Sequence, residues 1–154
     1  MIDLARIDGA DALVVLSAED RVRLAAAMTP LTFASGQALV TQGQRSGAAY
    51  LLLGGSLDVS RAVGDQIHLR GRIERGEWFG VLSVLDGHPA TASIHALTEV
   101  EVAALGRADF DRLLWEGDGL GARLLRAWLR SLGTQLGRVN RGNEAMLKLA
   151  AGLR

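Results

Sequence analysis

The pattern of hydrophobic and polar positions divides the chain into a helical start, a glycine-punctuated middle and a helical end. Ser17 and the acidic residues after it open a segment whose apolar residues predict a short capped helix, ended by Pro30. From residue 31 to about residue 105, short apolar runs alternate with glycine-containing turns. Such runs predict the strands of an antiparallel barrel, roll or two-sheet fold rather than alternating strands and helices.

Beyond residue 105 the apolar spacing changes to the three-and-four pattern of helices. Residues 107–116 are predicted to form a short helix, and the glycine-rich break at 117–119 leads into a long helix over 119–154. An apolar seam with steps of four and three residues runs along that long helix, and we expect it to be a dimer interface. The seam is formed by Leu125, Leu129, Leu132, Leu136, Val139, Asn143 and Met146. The same register continues through Ala150 and Leu153.

A seam of this period is typical of a two-stranded coiled coil, in which one polar residue such as Asn143 sets the register. The alternative is that this face of the helix packs on the strands of its own chain, a role that Trp128, beside the seam, could also fill. We favour a homodimer because the seam extends well beyond the length that the strands can cover.

Length and composition limit the organisation and the function. A chain of 154 residues suits one domain, with an N-terminal helical segment at 1–29, strands at 30–106, the short helix and the long helix. No cysteine is present, which excludes disulfides, iron–sulfur clusters and thiolate zinc sites. Seventeen basic and seventeen acidic residues balance, so the positive field of a DNA-binding domain is missing. Without a membrane-spanning run or a leader pattern, we expect a cytoplasmic protein with no membrane contact.

Catalytic and metal-binding patterns are missing from the sequence. The histidines are His68, His88 and His95, and no two of them have the close spacing of a metal-binding pair. We find no nucleophile elbow, phosphate-cradling loop or carboxylate dyad. We therefore expect a protein that is not an enzyme and that holds no metal and no cofactor.

Three motifs, over roughly residues 13–140, resemble the cyclic nucleotide-binding domain family and occur in that family's order. They are a phenylalanine, glycine, leucine and glutamine-glycine pattern at 33–43, a hydrophobic strand with a glycine turn and a returning strand at 49–59, and a phosphate-binding cassette at 76–93. The resemblance implies a mainly β fold with flanking helices. This is the antiparallel double-stranded β-roll, or jelly roll, of catabolite activator and FNR-like sensor domains, followed by a long dimerisation helix.

The cassette departs from the family at the two side chains that hold the ligand. In the family it reads roughly Phe-Gly-Glu-Leu, a short helical turn, and then Pro-Arg-Ala-Ala-Thr. Val81 stands in place of the ribose-binding glutamate, and Ala90 stands in place of the phosphate-binding arginine. At roughly 1.5–3 kcal/mol for each hydrogen bond to a charged group, losing both contacts costs about 3–6 kcal/mol, or two to four decades of affinity.

The candidate ligand site is thus a degenerate cassette formed by Gly80, Val81, Leu82, Ala90, Thr91 and Ser93. Turn and strand geometry alone explains most of the retained residues, although the backbone amides after Phe79 could still receive an anion. Arg70, Arg72 and Arg75 lie near the cassette in sequence and could replace the lost cation. Strict alternation, however, sends Ile67, Leu69 and Ile73 inward and predicts that Arg70 and Arg72 lie on the outer face.

We therefore expect a non-catalytic, dimeric regulatory or interaction module that does not bind cyclic AMP (cAMP) or cyclic GMP in the usual way. Its partner would be a protein of unknown identity, with no DNA binding from this chain alone. One alternative is a sensor that binds a cyclic mono- or dinucleotide in an altered mode. The other is the sensor part of a transcription regulator, since such regulators place a DNA-binding domain after the long helix and this chain ends at Arg154.

Overall fold

Two four-stranded antiparallel sheets form the centre of the computed structural model, which describes residues 2–7 and 10–152. The strands are β1 (Thr29–Phe33), β2 (Ala38–Val40), β3 (Ala48–Gly54), β4 (Leu57–Val63), β5 (Gln66–Ile73), β6 (Trp78–Phe79), β7 (Ser93–Ala96) and β8 (Val100–Gly106). One sheet has the order β1-β8-β3-β6 and the other has the order β2-β7-β4-β5. The predicted antiparallel β-roll is therefore confirmed. Residues 1 and 154, which bound the expected domain, and Leu153 of the expected seam lie outside the described residues.

Helices flank the roll at both ends of the chain, and one short helix lies within it between β6 and β7. They are a 3-10 turn (Leu4–Ile7), α1 (Asp11–Val14), α2 (Ala18–Ala27), α3 (Val81–Asp86), α4 (Arg107–Trp115) and α5 (Leu120–Ala150). None of the helices in the described ranges is both long enough and apolar enough to span a lipid bilayer.

A capping box starts α2 and joins it to α5. The Ser17 hydroxyl accepts a hydrogen bond from the Asp20 backbone N–H, and the Asp20 carboxylate accepts one from the Ser17 N–H, both at 3.1 Å. The same buried carboxylate accepts two hydrogen bonds from the Arg123 guanidinium, at 2.6 and 2.7 Å. The N-terminal helices are therefore fixed to the start of the long helix by a bidentate pair.

Strand β3 is buried on both faces and separates two apolar clusters. Leu51 and Leu53 belong to a cluster that β3 and β8 share with the helices, whereas Leu52 belongs to the cluster between the two sheets. Because successive side chains of a strand point to opposite faces, one run of apolar residues contributes to both clusters. This explains the uninterrupted hydrophobic run in the sequence.

Three aromatic rings fix α5 to the roll. The Trp128 ring lies 4.8 Å from the Phe110 ring and 5.5 Å from the Trp78 ring, measured between centroids. The Ser131 hydroxyl accepts a hydrogen bond from the backbone N–H of Trp78 at 3.3 Å, and the Gln135 side-chain amide donates one to the backbone carbonyl of Trp78 at 2.8 Å. The first half of α5 is therefore part of the folded core.

The expected inward orientation of Ile67 and Leu69 is wrong. Ile73 is buried, but Ile67 is 77% exposed and Leu69 is 69% exposed. Residues 61–69 are all exposed, so this end of the β4–β5 hairpin lies beyond the core and neither of its faces is covered. The ladder also shifts register there: Val59 pairs with Gly71 and Ser60 pairs with Leu69, which leaves Arg70 as an extra residue in a one-residue bulge.

Candidate functional site

The cassette begins with a left-handed turn at Gly80, between β6 and α3. Gly80 has a φ angle of 72°, and a Cβ atom at this position would lie 3.1 Å from the Ala48 carbonyl oxygen. Both the positive φ and the close approach to β3 require glycine here. The turn and its packing therefore account for Gly80 without a ligand.

Hydrogen bonds that do not involve the side chains at 81 and 90 hold the second half of the cassette. The Ser83 hydroxyl donates to the His88 carbonyl at 2.7 Å. The Ala90 N–H donates to the Gln44 carbonyl, and the Gly43 N–H donates to the Ala90 carbonyl, both at 2.8 Å. The shape of the cassette is therefore maintained by main-chain contacts and one serine.

A cavity of about 150 Å³ lies inside the roll beside the cassette, and we call it the roll cavity. Five of the six candidate site residues line it, namely Gly80, Val81, Leu82, Ala90 and Thr91. Ser93 does not line it; its hydroxyl accepts a hydrogen bond from the Gln42 N–H at 2.9 Å. The rest of the wall is not indicated by the cassette motif, and it includes Val40, Val59, Ile73, Ile94, Leu132 and Gln135.

The roll cavity has an apolar, uncharged wall. Val81 is only 2% exposed, and half-buried Ala90 packs against the cluster between the sheets. No lysine, arginine, aspartate or glutamate is among the described residues that line the cavity. Four polar side chains line it, namely Ser83, His88, Thr91 and Gln135, and Ser83 and Gln135 each donate to a backbone carbonyl. The wall thus has no guanidinium or ammonium to compensate the charge of a phosphate.

A second cavity, of about 280 Å³, lies between β5 and α5, and we call it the outer cavity. Arg70, Arg72 and Arg138 line it, and four of its lining residues, Val59, Ile73, Leu132 and Gln135, also line the roll cavity. Arg75 lines neither cavity. Two of the three arginines considered as replacements therefore lie next to the cassette's cavity without entering it.

The predicted seam of α5 is mostly uncovered in this chain. Leu129, Leu136 and Met146 are 67%, 61% and 71% exposed, and Asn143 is exposed as well. Leu125, Leu132 and Val139 are half-buried. The face that packs on the roll is an adjacent one, formed by Leu120, Gly121, Leu124, Ala127, Trp128 and Ser131. Helix α5 therefore has two adjacent apolar faces. The first is buried on the roll, and the seam also touches the roll through half-buried residues such as Leu125 and Leu132, which pack against the same core cluster.

Within residues 2–7 and 10–152, no group of three or more histidine, aspartate or glutamate side chains is arranged to hold a metal ion. The three histidines are separated in the fold as well as in the sequence. His68 is on β5, His88 follows α3, and His95 is on β7.

Comparison with known proteins agrees with this geometry. The family model described as "Cyclic nucleotide-binding domain" matches residues 30–116. The cAMP-dependent protein kinase regulatory subunit of Emericella nidulans is 36% identical over 96 residues, which cover 62% of this chain and 23% of that protein. The chain thus spans about a quarter of the length of this curated relative.

Solved structures show the same roll. The N-terminal domain of a transcriptional regulator from Streptomyces coelicolor A3(2) has 30% sequence identity and a TM-score of 0.71, and the match covers 86% of this chain and 94% of that one. The regulatory subunit of a cAMP-independent protein kinase A from Trypanosoma brucei has a TM-score of 0.73 at 22% identity, covering 93% of this chain and 50% of that one. At 22% identity, the likeness to the Trypanosoma brucei subunit concerns the fold alone.

Proposed function

Because the chain belongs to the cyclic nucleotide-binding domain family, we propose that it is a non-catalytic regulatory module whose roll does not bind cAMP or cGMP with useful affinity. The single observation that supports this is the uncharged wall of the roll cavity, with Val81 and Ala90 at the two positions that hold the ligand in the family. A cyclic phosphate diester is an anion, and its recognition depends on charge-assisted donors.

The energetics support the same conclusion. An anion moved into an apolar wall without a paired donor loses its hydration and gains no compensating hydrogen bond. The missing charge therefore opposes a cyclic nucleotide here.

Calorimetric titration of the purified protein with cAMP, cGMP and cyclic di-GMP tests this proposal. We expect no saturable heat at micromolar concentrations of any of the three. Thermal unfolding with and without each nucleotide provides a second readout, since a ligand that binds the native state raises the midpoint. A saturable micromolar isotherm for cAMP or cGMP would overturn the proposal.

We further propose that the module is a homodimer through the uncovered seam of α5 and that its regulatory contacts are with protein. Exposed Leu129, Leu136 and Met146 form an apolar stripe that no other described element of the chain covers, and covering such a stripe is favourable. Sedimentation of the wild type should give the dimer mass. Replacing Leu129 and Leu136 together by glutamate should give the monomer mass, whereas the control Thr134→Glu, at an exposed position off the seam, should leave the dimer intact.

A second candidate function is the sensor part of a transcription regulator, which the 30% identity to the N-terminal domain of the Streptomyces coelicolor regulator favours. The balanced charge of this chain argues against DNA binding by the roll and α5 themselves. Retention of the protein on duplex DNA at low salt, released by added salt, would support this candidate over the first. Failure to bind at low salt would count against it for this chain.

A further inference from the structure

The roll cavity and the outer cavity are adjacent and differ in chemistry. Val59, Ile73, Leu132 and Gln135 line both of them. The roll cavity adds hydrocarbon and neutral groups, whereas the outer cavity adds arginines from β5 and α5. A molecule that occupied both would therefore have an apolar end inside the roll and an anionic end beside β5.

Arg70 is the arginine whose charge is available to such a molecule. Arg138 is already used, since it forms an ion pair with Glu77 and donates to the Arg72 carbonyl at 3.0 Å. Arg72 is exposed, whereas Arg70 is half-buried, and Arg72 lies directly opposite Asp58 in the β4–β5 register.

The half-buried side chain of Arg70 comes from the bulge in β5, and bulges commonly redirect a side chain at a functional site. Its guanidinium forms no hydrogen bond or ion pair with any part of the chain that the structure describes. A half-buried guanidinium without a partner favours an external anion that can accept its hydrogen bonds.

We propose that the two cavities bind a small amphiphilic carboxylate, with its apolar body in the roll cavity and its carboxylate on Arg70. An apolar cavity of roughly 150 Å³ holds a body of about six carbon atoms, such as benzene. A guanidinium recognises a carboxylate through two parallel hydrogen bonds. This inference rests on the proposed function, since it requires that the roll does not hold a cyclic nucleotide.

Three probes separate the two ends of the ligand. Heptanoate has both a six-carbon body and a carboxylate, 1-hexanol has the body alone, and acetate has the carboxylate with a single methyl group. In titrations followed by calorimetry or by amide chemical shifts, heptanoate should bind about tenfold more tightly than 1-hexanol, because it adds one charge-assisted pair. Acetate should give no saturable binding. Equal affinities for heptanoate and 1-hexanol would overturn the assignment of Arg70.

Single substitutions then locate each end. Arg70→Gln should weaken heptanoate about tenfold and leave 1-hexanol unchanged, while Ala90→Leu, which fills the roll cavity, should abolish binding of both. Arg75→Gln is the matched control, because Arg75 lines neither cavity, and it should change nothing. Thermal unfolding confirms that each variant is folded. If Arg70→Gln and Arg75→Gln behave alike, the inference is wrong.

A titration with cAMP in the same series distinguishes the two ways of failing. Saturable cAMP binding contradicts the proposed function. Absence of heptanoate binding together with absence of cAMP binding contradicts only this inference.

Discussion

Val81→Glu and Ala90→Arg restore the two side chains that the family uses to hold its ligand, and the structure predicts different effects for each. The Val81 side chain is almost fully buried, and no lysine or arginine is among the described residues that line the roll cavity. Val81→Glu alone should therefore destabilise the protein by about 3–5 kcal/mol, as uncompensated buried charges do. Ala90→Arg alone should cost less than about 1 kcal/mol, because position 90 is half-buried and a long side chain can reach solvent.

In the double variant the new carboxylate and guanidinium line the same cavity and can pair. We expect the pair to recover about 1–3 kcal/mol of the cost of Val81→Glu, a coupling energy typical of contacting residues. The regained contacts to phosphate and ribose are together worth about 3–6 kcal/mol for cAMP, which corresponds to a gain of two to four decades in affinity over the wild type.

The assay is a double-mutant cycle that combines urea denaturation with calorimetric titration of cAMP. Ala90→Lys, combined with Val81→Glu, is the matched control, because an ammonium supplies the charge without the two parallel donors and should recover less affinity. If the double variant is folded and its affinity for cAMP rises by less than about tenfold, or less than 1.4 kcal/mol, positions 81 and 90 are not the ones that decide binding.

Three further substitutions test the packing, the turn geometry and the ion pair. Trp128→Ala should cost about 3–5 kcal/mol of unfolding free energy, whereas the control Trp115→Ala, at an 81% exposed side chain, should stay within roughly 0.5 kcal/mol of wild type; urea denaturation measures both. Gly80→Ala should destabilise the protein by about 1–3 kcal/mol because of the positive φ at this position. Gly133→Ala, in open space within α5, should stabilise it by about 0.5–1 kcal/mol. In thermal melts the midpoint should therefore fall for the first variant and rise for the second, and shifts of the same sign would contradict the reasoning. The hydrogen bond from Arg123 holds the pKa of Asp20 below its ordinary value. The pair therefore stabilises the fold fully when the pH is above the unfolded pKa of roughly 3.9, and this stabilisation is lost as the pH falls through the lower pKa of the folded state. The stability difference between wild type and Asp20→Asn should therefore shrink below about pH 4, and a difference independent of pH would contradict the assignment.

The class of fold could be predicted from the sequence because local signals agree with one another. Glycines mark the turns, apolar runs mark the strands, and the cassette motif marks the segment from β6 to β7. Alternation failed at the end of the β4–β5 hairpin: Ile67 and Leu69 are exposed because residues 61–69 have neither face covered. Nothing in a two-residue period shows where a strand extends beyond the core, since that depends on what packs against it.

The candidate site was only partly predictable, for a similar reason. The cassette motif identified five residues that line the roll cavity, at 80–82 and 90–91. They could be identified because both groups belong to one recognisable local segment. Leu132 and Gln135 come from α5, and their place in the wall depends on how that helix packs through Trp128. The spacing of apolar residues predicts a helix with a stripe, but α5 carries two adjacent apolar faces and the spacing does not assign one to the roll.

The hydrogen bonds of the cassette explain how its shape persists without the side chains that grip a ligand. The turn requires Gly80, and the loop after α3 is held by Ser83 and by main-chain bonds between residues 43–44 and 90. None of these hydrogen bonds uses the side chain of Val81 or Ala90, so the backbone of the cassette does not depend on a carboxylate at position 81 or a guanidinium at position 90. Fold and ligand recognition thus depend on different atoms of the same segment, which is why membership of the family does not imply binding of its ligand. The same separation predicts that Ala90→Arg alters what the roll cavity binds while leaving the cassette backbone in place.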